Sequence, residues 1–392
     1  MDNIRSESNG DVLTVFLGGR VDTSNADAVE AAINAERDAN PHSTLILDAQ
    51  ELEYISSSGL RTILRLRKAE GELTVKNVCS EVYDIFEMTG FTDIVNVEKA
   101  FKQLSVEGCE IIGKGAKGTI YRYDPETVVK VYNRPDALPD IQSERELARK
   151  AFVLGVPTAI SYDIVKVGEG YASVFELIDS KSVSQLLREH PENLEEYAKM
   201  VADILRQMHS THVAKSEMRD VKQFIRTWAD GASSELSAEV NGKIAALIDG
   251  APDTENLLHC DFHTNNIMLQ KDELILIDMD TLSRGHPIFE LANIHIAYVA
   301  FGVADPTVVE NFLGLPYQTA VQFWNRFFAL YLQTEDSERI REVEEKTELL
   351  SYLRLLRHVV RRGLNDDISR KTAEIARGKI NELAAKVDSL DF

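Results

Sequence analysis

Between Ile111 and Tyr121 the chain reads Ile-Ile-Gly-Lys-Gly-Ala-Lys-Gly-Thr-Ile-Tyr, with glycines at Gly113, Gly115 and Gly118. Glycines at this spacing that led into a helix would predict a dinucleotide-binding fold. Here Thr119 to Tyr123 favours a strand, and Asp124-Pro125-Glu126 turns into a second one, Thr127 to Tyr132. The pattern predicts a strand-loop-strand hairpin that covers phosphates with its backbone, the glycines permitting close approach. Lys130 then lies in the second strand among apolar residues, placed to grip the α and β phosphates of ATP.

A lysine in that role needs an acidic partner. The helical run Ile141 to Phe152 offers Glu144 and Glu146. Glu144 has Leu147 and Ala148 at the third and fourth positions beyond it and so shares the packed face, whereas Glu146 lacks apolar neighbours at those spacings. Glu144 is the expected partner. Tyr171 to Ile178 reads as a buried strand entering a connection where backbone amides near Glu176 and Leu177 would meet adenine.

Downstream, His259-Cys-Asp-Phe-His-Thr-Asn-Asn-Ile-Met-Leu269 is followed by Leu276-Ile-Asp-Met-Asp280. Asp261, Asn266 and Asp278 sit in or beside short apolar, strand-like runs. Phosphoryl transfer needs such a set: one carboxylate to orient or deprotonate the attacking hydroxyl, and a second carboxylate with an amide oxygen to hold Mg2+.

A chain of 392 residues exceeds what one core usually organises, so two domains are expected. The net charge of −21 argues against nucleic-acid or anionic-membrane surfaces, which rely on clustered Lys and Arg. Three scattered cysteines give neither a disulfide framework nor a zinc cluster. No apolar run approaches a membrane span, and the expected location is cytoplasmic.

The first hundred residues alternate strand and helix patterns, the mark of an α/β sheet with packed helices. Gly19-Arg-Val-Asp22 with Ala26, the Leu47-Asp48 strand end and Ile55-Ser-Ser-Ser-Gly-Leu60 make this segment, from about Asn3 to Leu104, resemble the STAS domain of anti-sigma-factor antagonists. The resemblance implies phosphorylation at Ser57 that switches binding of an anti-sigma-factor-like protein partner. An anion there would meet the free N–H groups of a helix start. Ser56 stands where the family usually has Asp, and Ser56 to Ser58 also serve as helix caps.

The glycine hairpin, Lys130, Gly155-Val-Pro157, His259-x-Asp261-x-x-x-x-Asn266 and Ile277-Asp278-x-Asp280, in that order, make Ile111 to about Leu383 resemble the aminoglycoside/choline kinase-like phosphotransferases, which share the protein-kinase fold. The resemblance implies an α+β bilobal domain with an α-rich C-terminal lobe. The expected division is 1–106 for the STAS-like domain and 107–392 for the kinase-like one, with lobes at about 107–178 and 179–392. It implies Asp261 as catalytic base, Asn266 and Asp278 as Mg2+ ligands, and Lys130 with Glu144 as phosphate clamp. It further implies that Asp280 supports the metal ligands without binding the ion itself and that His259 braces the loop. Cys260 replaces the family's usual Gly, and Glu290 its usual Asp. The expected function is transfer of the γ-phosphate of ATP to a small-molecule hydroxyl under control of the STAS-like domain. The alternative is a signalling kinase or nucleotide-sensing switch acting on Ser57 or another protein serine.

Overall fold

The computed structural model describes residues 4–115, 117–178 and 180–392. They form two compact units, Met1–Ser105 with Ile164–Tyr171, and Val106–Asp163 with Ala172–Phe392.

In the first unit, strands β1 (Arg5–Asn9), β2 (Val12–Val21), β3 (Thr44–Ile55), β4 (Thr74–Val78) and β5 (Asn96–Lys99) lie side by side in sequence order. Only the β1–β2 pair is antiparallel. Helices α1 (Ala26–Ala39), α2 (Ser57–Glu70) and α3 (Ser80–Met88) supply the crossovers. Alternation along β2 buries Leu13, Val15 and Leu17, which share a core with Ile33 of α1, Ile63 of α2 and Phe86 of α3. Gly59 in the first turn of α2 leaves no room for a side chain, since a Cβ there would lie 2.6 Å from Ile55 and 2.9 Å from Val21. The short segment Ile164–Tyr171 groups with this unit because the Lys166 carbonyl accepts from the Leu104 N–H at 2.8 Å and Phe101 packs edge-on against Tyr171 at 5.1 Å.

The chain continues with β6 (Glu110–Lys114), β7 (Gly118–Arg122), β8 (Thr127–Tyr132), α4 (Leu138–Val153), β9 (Ser161–Val167) and β10 (Gly170–Glu176), all in the second unit apart from the Ile164–Tyr171 stretch of β9 and β10. The strands form one sheet ordered β6-β7-β8-β10-β9. Then follow β11 (Lys181–Ser182), α5 (Val183–Glu189), α6 (Leu194–Ser210), α7 (Val221–Ala232) and α8 (Ala238–Gly250). Short strands β12 (Leu257–Leu258), β13 (Ile267–Gln270), β14 (Glu273–Leu276) and β15 (Ser283–Arg284) make two small sheets, β11-β13-β14 and β12-β15. Five helices finish the chain: α9 (Ile288–Tyr298), α10 (Thr307–Leu313), α11 (Tyr317–Leu332), α12 (Ser337–Arg362) and α13 (Asp367–Ala384).

Every residue of α9 is buried, which makes it the axis of the helical part. Trp228 of α7, Phe289 and Ile294 of α9, Phe327 of α11 and Leu356 of α12 lie in the same core. The architecture is thus an α/β unit and an α+β unit with an α-rich C-terminal part. Among the described residues no helix is long and apolar enough to cross a membrane.

Candidate active site

Two polar loops are joined by the β13–β14 hairpin. Ile267 pairs with Leu276, which sets Asn266 next to Ile277, whose N–H donates to the Asn266 carbonyl at 3.0 Å. Fully buried His259 fastens the loops from the other side. Its Nδ1 accepts the Asp261 N–H at 3.3 Å and its Nε2 lies 3.1 Å from the Ile277 carbonyl, so the proton is on Nε2. His259 thus braces the loop, as expected.

Asp261 is held from two directions. Asn266 Nδ2 donates to its carbonyl at 3.0 Å and to Oδ2 at 3.4 Å, and His263 Nε2 stands 3.7 Å from Oδ2. Burial pushes the carboxyl pKa up, but the neighbouring His263 ring and the positive charge of Arg354 outweigh it and hold the group at about 2. The carboxylate is therefore ionised at neutral pH. With Nδ2 of Asn266 engaged, its Oδ1 remains as the atom suited to a hard cation.

The β8 lysine meets the expected partner. Lys130 Nζ lies 2.8 Å from Glu144 Oε1 and 3.5 Å from Asp278 Oδ1. Burial opposes its charge, yet the two carboxylates raise its pKa above the ordinary lysine value. Glu144 is buried on the α4 face that carries Ile141 and Ala148, and its other oxygen accepts from the Tyr132 hydroxyl at 2.9 Å. Glu146 points outward and pairs with Lys150 at 2.8 Å instead.

Asp278 adopts a left-handed backbone, φ 64°. One oxygen each of Glu144, Asp278 and Asp280 lie within 4.8 Å of one another. Two lysines, Lys130 and Lys117 of the glycine loop, offset two of the cluster's three negative charges, the latter ion-paired to Asp280. A cavity of about 470 Å³ opens onto these groups, with Gly115, Gly118 and Lys130 on one wall and Asp261, Asn266 and Asp278 on another.

Two expectations change in detail. The glycines do not all serve close approach to a ligand: a Cβ on Gly118 would sit 2.4 Å from the Val131 carbonyl, and one on Gly113 would sit 3.3 Å from Ile120. Those two permit strand packing, and of the three only Gly115 would accept a Cβ at ordinary contact distance, 3.9 Å from the Gly118 carbonyl; Ala116 lies outside the described residues. At the connection, Glu176 and Leu177 both line the cavity, but the Leu177 N–H donates to the Glu126 carbonyl at 2.7 Å because strand pairing with the preceding hairpin runs one residue further. The Leu177 amide is therefore taken.

The sequence marked Glu290 only as a departure from the family pattern; its contacts show what it does. Fully buried at the start of α9, it accepts the N–H groups of His259 at 3.0 Å and Cys260 at 2.7 Å, and meets His209 Nε2 at 2.8 Å. His209 in turn is 2.8 Å from the Tyr331 hydroxyl. Cys260 has φ 66°, which accounts for glycine being the family's usual residue at that point. Lys117, His263 and Arg354 were also missed; of these only His263, two residues beyond Asp261, carried a positional signal.

In the first unit, the Ser56 side chain caps α2 by accepting the N–H groups of Ser58 at 3.2 Å and Gly59 at 3.5 Å. Ser57 is exposed, and among the described residues no hydrogen bond holds its hydroxyl.

Comparison with known proteins agrees with both halves. Residues 108–317, more than half of the chain, match the phosphotransferase enzyme family, and residues 3–104 match the STAS domain. A protein described as an anti-sigma factor antagonist, BtrV of Bordetella bronchiseptica, is 37% identical over 90 residues, 22% of this chain and 77% of its own length. The anti-sigma-B factor antagonist of Listeria monocytogenes is 26% identical over 96 residues, 24% of this chain and 83% of its own. Among solved structures, the streptomycin–ATP complex of aminoglycoside phosphotransferase APH(2")-IIa is 15% identical with a TM-score of 0.45, covering 77% of this chain and 97% of that one. A choline/ethanolamine kinase family protein from Mesorhizobium loti is 13% identical with a TM-score of 0.45, covering 72% and 89%. The chain therefore belongs to the phosphotransferase enzyme family and carries a STAS domain as its N-terminal unit.

Proposed function

We propose that the second unit transfers the γ-phosphate of ATP to a hydroxyl group of a small molecule. The observation that carries this is the convergence on one cavity of the Lys130–Glu144 pair, 2.8 Å apart, with an ionised Asp261 and the Asn266 and Asp278 oxygens. Asp261 receives the hydroxyl proton, and Lys130, fixed by Glu144, holds the phosphates. Asn266 and Asp278 have the hard oxygen donors that Mg2+ requires, and the ion when bound would neutralise phosphate charge. Among the described residues, the Glu176 carbonyl and the Ile178 N–H are left for the adenine edge, the Leu177 amide and the Ile178 carbonyl being engaged.

Mg-ATP is expected to raise the melting temperature of purified full-length protein, and Lys130→Met to remove most of that rise. Wild-type protein that gains no stability from Mg-ATP, or turns over no hydroxyl acceptor, would sink the assignment.

A second reading concerns regulation. The exposed, uncommitted Ser57 hydroxyl at a helix start supports a STAS unit that is phosphorylated there and binds an anti-sigma-factor-like protein, with the same chain as one source of the phosphate. Intact mass after incubation with Mg-ATP should show one added phosphate on wild type and none on Ser57→Ala. Equal phosphate on both proteins would place the modification elsewhere.

A further inference from the structure

The chain holds 64 acidic residues against 43 basic ones, yet the C-terminal half of α12 is basic. Arg354, Arg357, His358 and Arg361 recur at spacings of three and four residues and so share one helix face. Arg354, Arg357 and His358 are half-buried, and Arg361 and Arg362 are exposed. With carboxylates in such excess, ion pairs would be the ordinary outcome. Among the described residues no carboxylate forms a salt bridge with any of these four arginines; the charge that bears on Arg357 is that of Arg361, and His358 feels all four. The helix dipole accounts for Arg361 and Arg362 in the last turn, but not for Arg354 two turns upstream.

This face begins at the reaction centre. The Arg354 guanidinium donates to Asn293 Oδ1 on α9, lies 5.4 Å from the Trp228 ring, and exerts its charge on Asp261. Trp228 is fully buried and, among the described residues, its Nε1 has no hydrogen-bond partner. From Asp261 outward, His263 packs edge-on against Phe312 at 4.9 Å, Phe312 against Phe301 at 6.4 Å, and Phe301 against His358 at 5.4 Å. An aromatic wall thus leads from the catalytic carboxylate to the unpaired arginines. Like charges gathered at such a place repel one another until an anion joins them.

We propose that this face recognises the phosphoryl acceptor, and that the acceptor is a small hydroxyl compound bearing a phosphate or carboxylate group. The inference rests on the phosphotransfer reading of Asp261 and names the substrate class it implies. The acceptor's anionic group lies on the guanidinium forks while its hydroxyl reaches Asp261. That oxygen forms the new bond to the γ-phosphorus, the bond from phosphorus to the β–γ bridging oxygen breaks, ADP leaves with the electron pair, and the proton passes to Asp261. A polycationic acceptor would meet repulsion along the same path.

The test is thermal shift on full-length protein at matched ionic strength. Glucose 6-phosphate and D-glycerate are compared with glucose, glycerol, kanamycin and choline, on wild type and on Arg357→Ser and Arg361→Ser. At least one anionic probe should stabilise wild type at millimolar concentration and bind about tenfold more weakly to Arg357→Ser. The proposal is overturned if neither anionic probe stabilises wild type, if kanamycin or choline binds more tightly than both, or if Arg357→Ser binds as wild type does. A parallel Mg-ATP shift separates the two ideas: its absence counts against the phosphotransfer reading, whereas the anion result is read without nucleotide.

Discussion

Asp261→Asn is expected to lower kcat between about a hundredfold and ten-thousandfold while changing the affinity for Mg-ATP little. The amide keeps the shape of the carboxylate and can still be held by Asn266, 3.0 Å from the Asp261 carbonyl, so the loop has no reason to move. What disappears is the group proposed to take the proton. The pH dependence offers a second readout. The carboxyl pKa is depressed to about 2, so Asp261 stays ionised throughout the neutral range and contributes no acid limb to kcat/KM above pH ~5. Its contribution to stability has the sign of a depressed acid: present above its ordinary value of 3.8 and lost as pH falls toward 2. Acid unfolding of Asp261→Asn should lack that component. Turnover equal to wild type on the same acceptor would remove Asp261 from the chemistry.

The parts of this site that the sequence made legible are local. Thr119 to Tyr132 forms a hairpin because β-favouring residues flank the Asp124-Pro125-Glu126 turn, and Lys130 falls on it by count alone. Glu144 was distinguishable from Glu146 because helical spacing places one on the packed face and the other in solvent. Ser56 as cap of α2 follows from side-chain chemistry within three residues.

What stayed hidden depends on tertiary placement. Lys117 and Asp280 are 163 positions apart, and only the closure of the glycine loop over the β14 end makes them a pair. Arg354 reads in sequence as one of several charges on a long amphipathic helix; that it lies against Trp228, within electrostatic reach of Asp261, follows from how α12 packs on α7 and α9. The engaged Leu177 amide has the same origin, since one extra hydrogen bond beyond the strand pairing cannot be counted from residue types.

The largest effect on stability is expected at Glu290. Its carboxylate satisfies the His259 and Cys260 amides and His209 together, all without solvent. Glu290→Ala leaves these donors unpaired in the core, a loss of about 3 to 5 kcal/mol from their combined desolvation. The informative substitution is Glu290→Asp, which keeps the charge but withdraws it by one methylene, roughly 1.5 Å on covalent dimensions, too far to reach both amides at 2.7 and 3.0 Å without movement. Here the two departures from the family pattern meet, because the amide that Glu290 Oε1 accepts belongs to Cys260. Cys260 holds φ 66° with its side chain buried, so that stretch of loop is restricted in where it can go. Glycine at 260 would release the restriction and let the loop follow the shorter acid. In urea unfolding, Glu290→Asp should therefore be destabilised by about 2 kcal/mol, and the Cys260→Gly/Glu290→Asp double variant should be more stable than the sum of the single changes predicts, by about 1 kcal/mol. Strict additivity would mean that the cysteine and the glutamate are independent substitutions that happen to touch. Coupling would mean that the longer acid is the loop's answer to a side chain at its left-handed position.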